Sequence, residues 1–475
     1  MNKFYCDNLK ICDEYGRQRI FRGVNICCKL KSASSSVQLR KQFKKFENEN
    51  ISSLKNSGVN LVRLGITWAA LEEKRGEYSR ETACVLHDFV KQCEKEDIYV
   101  MPDMHQDLFS HYFHGDGAPE WAVNTSYKSK RPLAVWAEGY FYMNGVQQAF
   151  SDFWKNKNNI QSDFINCWKF LVSSLGDCSN IIGCDFFNEP YPQSGGREIF
   201  INILNGIAKI LGKNIDFHSC FYHNREKTGM ILAALKIVAA VKSRSGFKKI
   251  MKAIDDEKDF SLVVDGKEDI IADFSENYYQ PFFEKISKEV NCGLNVFEHS
   301  YYSNLGIPFS IEAPENSVYS PHAYDIFVDS PLYNIYCSNN RLNFILSRIR
   351  ENQLKMNVPV IMGEWGGIQN GAKSIKHIDF IMNVFEKYQW SSLYWNMKFD
   401  DKKLLSVFNR PYPAAVFGDI KDIHTDSKER RFTLVWNQKE PCAEDSDNAN
   451  IIYIPGRGFC RFPGAKGENR LELNY

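Results

Sequence analysis

Two glutamates come at the ends of apolar runs that lie far apart in the sequence. Glu189 follows the run IIGCDFF directly after Asn188, and Glu364 ends the run VPVIMGE beside glycines. A pair of facing carboxylic acids can cleave a glycosidic bond, one as the acid on the leaving oxygen and the other as the nucleophile. Repulsion between two close charges also favours protonation of one of them near neutral pH. The pair therefore predicts glycoside cleavage if the fold brings the two residues together.

Further polar and aromatic residues end the other apolar runs, namely Arg63, Asp103, His105, Asp107, His322, Tyr324 and Trp395. A cation such as Arg63 and a hydroxyl such as Tyr324 favour the ionised form of a neighbouring carboxylate. The Asn188 amide can bind a sugar 2-hydroxyl, a contact that strengthens in the transition state. Each residue taken alone could equally serve the core or a structural ion pair. The hypothesis of a catalytic site depends on the whole set.

Eight short apolar runs alternate with helix-like stretches over the first 400 residues. The runs are FRGVNI (21–26), VNLVRLGI (59–66), IYVMPDM (98–104), IIGCDFF (181–187), LNVFEH (294–299), VYSPHAY (318–324), VPVIMGE (358–364) and SSLYWN (391–396). Continuous hydrophobicity is typical of strands that are covered on both faces, as in a parallel sheet. The pattern predicts an α/β fold, a (β/α)₈ TIM barrel, whose sites lie at the carboxyl ends of the strands.

Two stretches do not belong to a minimal barrel. An insertion after the fourth strand spans about 193–275 and contains apolar, lysine-bearing segments at 199–211 and 230–254. Beyond about residue 403, short runs such as FTLVW and NIIYIP lie among Gly, Pro and Asn, which predicts a small β-sandwich. We therefore expect a barrel domain over 1–403 with a helical insertion, and a C-terminal β-sandwich domain over 404–475.

The segment 230–254 has the pattern of a basic amphipathic helix. Ile231, Leu235 and Val238 fall near one face and several lysines near the other, and Gly246 is a point where the helix can break. The segment is too short and too charged to span a bilayer. It is suited to peripheral contact with a membrane surface or to covering the mouth of a site, although an extra pair of packed surface helices would have the same pattern.

Composition excludes some classes of protein. Lys+Arg 59 against Asp+Glu 58 gives a net charge of +1, which argues against a nucleic-acid binder. Aromatic residues make up 14% of the chain and suit stacking on sugar rings. The N-terminus shows no signal peptide, so we expect a cytoplasmic or peripheral membrane protein, or a secreted one if a signal has been removed. The 14 cysteines form no CxxC, and free thiols in a reducing compartment are expected.

A metal site is the alternative interpretation of the third run and the segment after it. Asp103, His105, Asp107, His111 and His114 are residue types that bind zinc. Hydrolysis by two carboxylates requires no metal, however. We therefore expect neither a metal nor any other cofactor.

The motifs around these residues resemble glycoside hydrolase family 5. They are RGVN (22–25), LVRLG (61–65), DMHQDLFS (103–110), GDGAPEW (115–121), FFNEPYP (186–192), SPHAYD (320–325), GEWGG (363–367) and YWNMK (394–398). The combination of DMHQDLFS with GDGAPEW is similar to the endoglycoceramidase branch of that family, and ENYYQPFFEKI (276–286) and RPYPAAV (410–416) extend the resemblance. The resemblance thus covers most of the chain outside the insertion.

The resemblance implies a retaining β-glycosidase that cleaves between the glycan and the ceramide of glycosphingolipids, with a glycolipid as its partner. It implies that Glu189 is the acid/base and Glu364 the nucleophile, surrounded by Arg63, His105, Asn188, His322 and Tyr324. It further implies that Trp395 lies under the sugar, that Lys29, Asp103 and Asp107 bind sugar hydroxyls, and that Trp154 stacks further along the glycan.

Three alternatives remain open at this point. The first is an exo-acting β-glucosidase on glucosylceramide or steryl glucosides. The second is a polysaccharide endo-glucanase or mannanase, which would leave the DMHQDLFS and GDGAPEW motifs unexplained. The third is a catalytically silent carbohydrate-binding barrel, which the presence of both glutamates disfavours.

Overall fold

A short antiparallel hairpin and one further strand begin the chain and close the base of the barrel. They are β1 (Phe4–Asp7), β2 (Lys10–Asp13) and β3 (Gln18–Arg19). Phe4 and Ile11 pack in one buried cluster with Leu61, Met101 and other residues at the amino ends of the barrel strands. The computed structural model describes residues 3–31, 36–44, 48–127, 130–132, 135–328, 330, 332–367, 372–396 and 409–475.

The barrel strands follow in chain order. They are β4 (Arg22–Cys28), β5 (Leu61–Ile66), β6 (Tyr99–Met104), β7 (Gly183–Asp185), β8 (Leu294–Phe297), β9 (Ser317–Tyr319), β10 (His322–Ala323), β11 (Ile361–Gly366) and β12 (Ser391–Trp395). All pair in parallel, and β12 pairs with β4. Strands β9 and β10 are two halves of the sixth barrel strand, and a parallel bridge from Tyr319 to Val360 joins β9 to the segment before β11. The predicted (β/α)₈ barrel is confirmed, and each of the eight apolar runs contains a strand.

Helices of the first three barrel units cover the outside of these strands. They are α1 (Ser36–Lys44), α2 (Asn48–Asn56), α3 (Trp68–Leu71), α4 (Arg80–Lys95), α5 (Glu138–Tyr142), α6 (Asn144–Trp154) and α7 (Ile160–Ser174). Helix α4 shows why the sequence folds locally as it does. Ser79 caps its first turn by accepting from the Thr82 N–H, and Val85, Leu86 and Phe89 turn one apolar face to the core.

The insertion after the fourth strand is helical, as predicted. It contains α8 (Gln193–Ile210), α9 (His218–Tyr222), α10 (Glu226–Val241), α11 (Arg244–Ile254), α12 (Glu257–Val264) and α13 (Glu268–Phe274). The expected break in the segment 230–254 lies at Lys242, whose φ is 49°, and not at Gly246. The hydroxyl of Ser243 then caps α11 by accepting from the Gly246 N–H.

The second half of the barrel is less regular than the first. A π-helical turn (Ser275–Tyr279) joins the insertion to α14 (Gln280–Glu289), and α15 (Tyr333–Tyr336), α16 (Asn339–Met356) and α17 (Ala372–Tyr388) follow. Residues 298–316, all of which are described, link the fifth and sixth strands through a 3₁₀ turn (Tyr301–Leu305) without an α-helix. No helix of the described residues is long and apolar enough to cross a membrane.

The C-terminal strands form two antiparallel sheets that pack over a shared core. They are β13 (Tyr412–Val416), β14 (Asp419–Asp426), β15 (Arg431–Gln438), β16 (Asn450–Ile454), β17 (Gly458–Phe462) and β18 (Gly467–Asn474). One sheet has the order β1-β2-β3-β13-β16-β17, so the N-terminal strands belong to it, and the other has the order β14-β15-β18. Buried Trp436 and Tyr453 lie in the core between them. The expected domain boundary at 403/404 lies outside the described residues.

One disulfide joins the two strands that flank the insertion. Cys184 of β7 is bonded to Cys292, which lies just before β8, and the chain between them is the whole insertion with α14. The other 12 cysteines, all of them among the described residues, lie outside any disulfide. The expectation of free thiols is therefore wrong for this pair, because the barrel brings neighbouring strand ends together irrespective of their separation in sequence.

Candidate active site

The two glutamates meet at the carboxyl ends of the barrel strands, with one imidazole between them. Glu189 follows β7 in a left-handed backbone conformation, with φ at 40°, and Glu364 lies in β11. His322 Nδ1 lies 3.0 Å from Glu189 Oε1 and 3.6 Å from Glu364 Oε2, so these two oxygens are at most 6.6 Å apart. That limit accommodates the about 5–5.5 Å that separates the carboxyl groups of retaining glycosidases.

Arg63 of β5 is the central cation of the site and is 1% exposed. Its guanidinium contacts four carboxylates, at 2.8 Å from Asp185 Oδ2, 2.8 Å from Glu364 Oε1, 2.6 Å from Glu298 Oε1 and 3.0 Å from Asp103 Oδ1. Burial lowers the pKa of Arg63, but Asp103 and Asp185 outweigh burial and hold it well above its usual range. The guanidinium is therefore a fixed positive charge beneath the two glutamates.

Glu364 is surrounded by groups that favour its ionised form. Arg63 donates to Oε1, and the Tyr324 hydroxyl donates to Oε2 at 3.0 Å. Burial nevertheless raises the pKa of Glu364 to about 7, against the lowering influence of His322 and Arg63. Glu364 thus gains its charge near neutral pH, and the hydroxyl and the guanidinium supply part of the free energy that ionisation requires.

Glu298 belongs to the same cluster, although the sequence analysis did not select it. Its Oε1 lies 2.6 Å from Arg63 and 3.3 Å from His322 Nε2, and its Oε2 accepts from the Glu189 backbone N–H at 2.6 Å. It directly follows β8 and is the penultimate residue of the run LNVFEH, so the rule that selected the other strand-end residues also applies to it.

His322 and Glu298 lie 3.3 Å apart inside this cluster, and each shifts the pKa of the other. Burial lowers the pKa of His322, but Glu298 and Glu364 outweigh burial and hold it well above its usual range. Burial raises the pKa of Glu298 well above its usual range, against the lowering influence of His322 and Arg63. The carboxylates around His322 thus favour its charged form, and burial favours the neutral form of Glu298.

His105 and Asp103 lie behind the site rather than in its mouth. His105 Nδ1 lies 2.9 Å from Asp103 Oδ2, and both side chains are buried. Burial raises the pKa of Asp103 to about 6, and burial together with the Lys29 charge lowers the pKa of His105 well below its usual range. The expectation that Asp103 binds a sugar hydroxyl is wrong, because its oxygens face Arg63 and His105. It holds those two side chains instead.

Two tryptophans and a lysine form the open edge of the site. Trp395 of β12 stacks on the His105 ring at 5.4 Å with an angle of 12° between the planes. Lys29 Nζ lies 5.3 Å from the Trp395 ring and 5.8 Å from the ring of Trp136, which is 40% exposed. Trp136 was missed because it lies in a long connection and not at a strand end. Its exposed face beside Lys29 is suited to stacking on a sugar.

The Lys29 ammonium faces two carboxylates. It contacts Asp107 and lies 3.7 Å from Asp116, a residue of the GDGAPEW motif that the sequence analysis did not single out. His105, Asp107 and Asp116 bring their ligand atoms within 4.8 Å of one another, as do Asp103, Asp185 and Glu298 around Arg63, and each of these two groups could hold a metal ion. In this arrangement Lys29 supplies the positive charge beside the two carboxylates.

Both the oxygen and the nitrogen of the Asn188 side-chain amide form hydrogen bonds within the protein. Its Oδ1 accepts from Arg63 at 2.9 Å, and its Nδ2 donates to the Gln106 carbonyl at 3.0 Å. The Gln106 side chain in turn donates to the Asn188 carbonyl at 2.9 Å and to the Glu189 carbonyl at 3.2 Å. The loop that carries both Asn188 and Glu189 is therefore fixed from below.

Trp154, by contrast, lies in the hydrophobic core. It is 4% exposed at the end of α6, and its indole N–H donates to the Tyr191 carbonyl at 2.9 Å. Its ring packs against Phe153, Phe187 and Phe274 at 5.0–5.5 Å. The prediction that Trp154 stacks on the glycan is wrong, because neighbouring aromatic rings already cover its faces.

The Tyr324 hydroxyl provides a test of the electrostatics around Glu364. The predicted chemistry needs Glu364 ionised, so activity should fall as the pH drops through its raised pKa. In Tyr324→Phe the ionised form loses a donor, and we expect the acidic limb of kcat/KM on an aryl β-glycoside to move up by about one pH unit. The control Tyr336→Phe alters a tyrosine of the same connection and should leave the limb in place. An unchanged limb in Tyr324→Phe would contradict the assigned hydrogen bond.

Family models match almost the whole chain. A model described as cellulase (glycosyl hydrolase family 5) matches residues 12–401, and one described as glycoside hydrolase family 5 C-terminal domain matches residues 410–466. The first covers the barrel with its insertion, and the second covers most of the C-terminal strands.

Individual relatives agree with these matches. An endoglycoceramidase of Cyanea nozakii is 28% identical over 204 residues, which cover 38% of this chain and 40% of that protein, so the chain matches less than half of that relative's length. Endo-glycoceramidase II from Rhodococcus sp. has a TM-score of 0.65 at 17% identity over 98% of this chain and 99% of that chain. Cryptococcus neoformans sterylglucosidase 1 has a TM-score of 0.67 at 15% identity over 99% and 96%. The two solved structures share the fold of this chain. The matched family models show that this chain belongs to glycoside hydrolase family 5.

Proposed function

We propose that this protein is a retaining β-glycosidase that hydrolyses the bond between the glycan and the ceramide of glycosphingolipids. The observation that carries the proposal is the unequal surroundings of the two facing glutamates. Glu364 accepts from a permanent cation and a hydroxyl, as a nucleophile requires, whereas Glu189 contacts His322 and the Asn304 amide. These unequal surroundings support Glu364 as the nucleophile and Glu189 as the acid/base, the two roles that glycoside hydrolysis needs.

The first chemical step forms a glycosyl-enzyme. A carboxylate oxygen of Glu364 attacks the anomeric carbon while the bond from that carbon to the leaving oxygen breaks. Glu189 gives its proton to the departing oxygen, which leaves as the alcohol of ceramide. Arg63 and Tyr324 orient the two oxygens of Glu364 for this attack, and the carboxylate loses its negative charge as its lone pair forms the new ester bond.

The second step releases the sugar. Glu189, now a carboxylate, takes a proton from a water molecule whose oxygen attacks the anomeric carbon, and the bond to Glu364 breaks. The product keeps the β configuration because the carbon is inverted twice. Glu189 is again protonated and Glu364 again ionised, so the enzyme returns to its starting state.

Ceramide as the leaving group is supported by what lies beside Glu189. Helix α8 begins at Gln193, four residues beyond Glu189, so the insertion starts close in sequence to the residue that protonates the leaving group. The insertion also presents exposed apolar side chains, which suit a lipid better than a second sugar. The relative from Cyanea nozakii is named an endoglycoceramidase, which supports the same substrate class.

We further propose that the enzyme contacts a membrane peripherally through the segment 230–254. On α10, Ile231, Leu235 and Val238 are 43%, 59% and 68% exposed at a spacing that places them on one face. Helix α11 follows with exposed Arg244, Lys248, Lys249 and Lys252. Apolar side chains beside basic ones are typical of helices that lie on anionic bilayers.

Other connections at the same end of the barrel add to this surface. Helix α10 packs against α5 of the third unit, and Phe247 of α11 contacts Tyr336 of the sixth unit. Exposed apolar residues on these two connections, apart from Trp136 at the sugar-facing edge, are Val135, Ile326, Leu332 and Ile335. The proposed membrane-facing surface therefore extends over connections that follow the third, fourth and sixth strands, on the side of the barrel that carries the active site, which would let a glycolipid enter without leaving the bilayer completely.

Product analysis tests the proposed reaction. Wild-type enzyme is incubated with glucosylceramide, lactosylceramide and a ganglioside. Each substrate should release ceramide and its intact glycan, because the bond that breaks joins the glycan to the ceramide oxygen that Glu189 protonates. Glu364→Gln should lower the rate at least about a thousandfold because it removes the nucleophile. Glu351→Gln, an exposed glutamate of α16, is the matched control and should behave as wild type.

Two outcomes of that analysis would change the assignment. Activity on glucosylceramide alone would make the enzyme an exo-acting glucosidase. Hydrolysis of steryl glucosides or polysaccharides, with no ceramide released from any glycolipid, would reject ceramide as the leaving group.

Vesicle binding tests the membrane contact. The triple variant Ile231→Ser, Leu235→Ser, Val238→Ser removes exposed apolar groups, so the fold should persist while co-sedimentation with phosphatidylcholine vesicles containing one-fifth phosphatidylserine falls at least about tenfold. Leu354→Ser removes an exposed leucine from α16 and is the control. Unchanged sedimentation of the triple variant would contradict contact through α10.

A further inference from the structure

Glu298 is a buried carboxylate that the two-step mechanism does not use. It lies one residue beyond β8, is 1% exposed, and touches the backbone of one catalytic glutamate and the imidazole between both. Its backbone N–H is in turn bonded to the hydroxyl of Tyr279 at 3.2 Å. Tyr279 belongs to the π-helical turn at the end of the insertion. Glu298 thus connects several elements to the Glu189 loop.

The Glu189 backbone needs such a connection. Its φ of 40° lies in the left-handed region, which a residue with a side chain occupies only when the surroundings hold it there. Oε2 of Glu298 accepts from the Glu189 N–H at 2.6 Å, and Gln106 binds the Glu189 carbonyl at 3.2 Å. The peptide groups on both sides of this residue are therefore fixed, and the direction of its side chain with them.

The other oxygen of Glu298 acts on the Glu189 side chain through His322. Oε1 lies 3.3 Å from His322 Nε2, and His322 Nδ1 lies 3.0 Å from Glu189 Oε1. The same Oε1 accepts from Arg63 at 2.6 Å. Both oxygens of Glu298 thus accept from donors on opposite sides. An amide has a single accepting oxygen, so glutamine at this position must lose one of the two sets of contacts.

We propose that Glu298 is the positioning residue of the acid/base: it aims the Glu189 carboxyl at the leaving oxygen by holding both its backbone N–H and its His322 partner. The inference rests on the proposed retaining hydrolysis but not on ceramide as the leaving group. Glu298 acts through Glu189, so its loss should affect proton donation more than nucleophilic attack by Glu364.

Leaving-group dependence tests this role directly. A 2,4-dinitrophenyl glycoside departs without a proton, whereas the phenyl glycoside of the same sugar needs general acid help. In Glu298→Gln we expect kcat/KM on the dinitrophenyl glycoside to stay within about threefold of wild type, and on the phenyl glycoside to fall about 30-fold or more. Retained activity on the first substrate also shows that the variant is folded. Glu312→Gln, an exposed glutamate of the same connection, should match wild type on both.

Two results would overturn the proposal. An equal fall on both substrates would mean that Glu298 supports the site as a whole, and no fall on either would mean that it has no part in positioning. Glu298→Asp keeps two accepting oxygens on a shorter side chain and should show the same selective loss, because it cannot reach both Glu189 and His322. The comparison uses aryl glycosides, so a failure of the proposed ceramide cleavage in the product analysis would leave its outcome unaffected.

Discussion

The site depends on one buried guanidinium that faces four carboxylates. Arg63 cannot lose its proton, so it compensates charges that the barrel interior would otherwise disfavour. Its contacts fix the strand ends that carry Asp103, Asp185 and Glu364 relative to one another. Removal of its charge would leave several buried acids without a partner, and the two glutamates would no longer be held as an unequal pair.

Around this cation the barrel gives each side chain of the site different neighbours and a different degree of burial. Glu364 receives the guanidinium and a hydroxyl, whereas Glu189 lies on a strained loop held by Glu298 and Gln106. His322 Nδ1 lies 3.0 Å from Glu189 and 3.6 Å from Glu364, so the imidazole is a common neighbour of both carboxyl groups. Exposed Trp136 and Lys29 lie on the open edge, where a glycan can be reached from solvent. The two glutamates are thus buried, whereas the side chains suited to binding the glycan lie at the rim.

Much of this arrangement could be predicted from the sequence. Eight continuous apolar runs predicted the barrel, and the residues that follow them predicted Glu189, Glu364, His322 and Arg63 as one cluster, because parallel strands end at a common edge. The same rule applied to LNVFEH would have found Glu298. Trp136, by contrast, lies in a connection whose path no periodicity determines.

The errors have physical causes as well. Asp103 and Trp154 have residue types suited to sugars, but burial depends on how neighbouring elements pack, which sequence patterns do not determine. The N-terminal strands are too short to signal that they join a sheet formed mainly by residues beyond 411. Prediction of the Cys184–Cys292 disulfide required knowledge of which strand ends are neighbours.

The most direct test of the central claim is mass spectrometry of the enzyme treated with a 2,4-dinitrophenyl 2-deoxy-2-fluoro-β-glycoside, which traps the glycosyl-enzyme. The account predicts a single covalent sugar on the peptide that contains Glu364. A label on Glu189 or Glu298, or hydrolysis to the inverted anomer without any label, would contradict it.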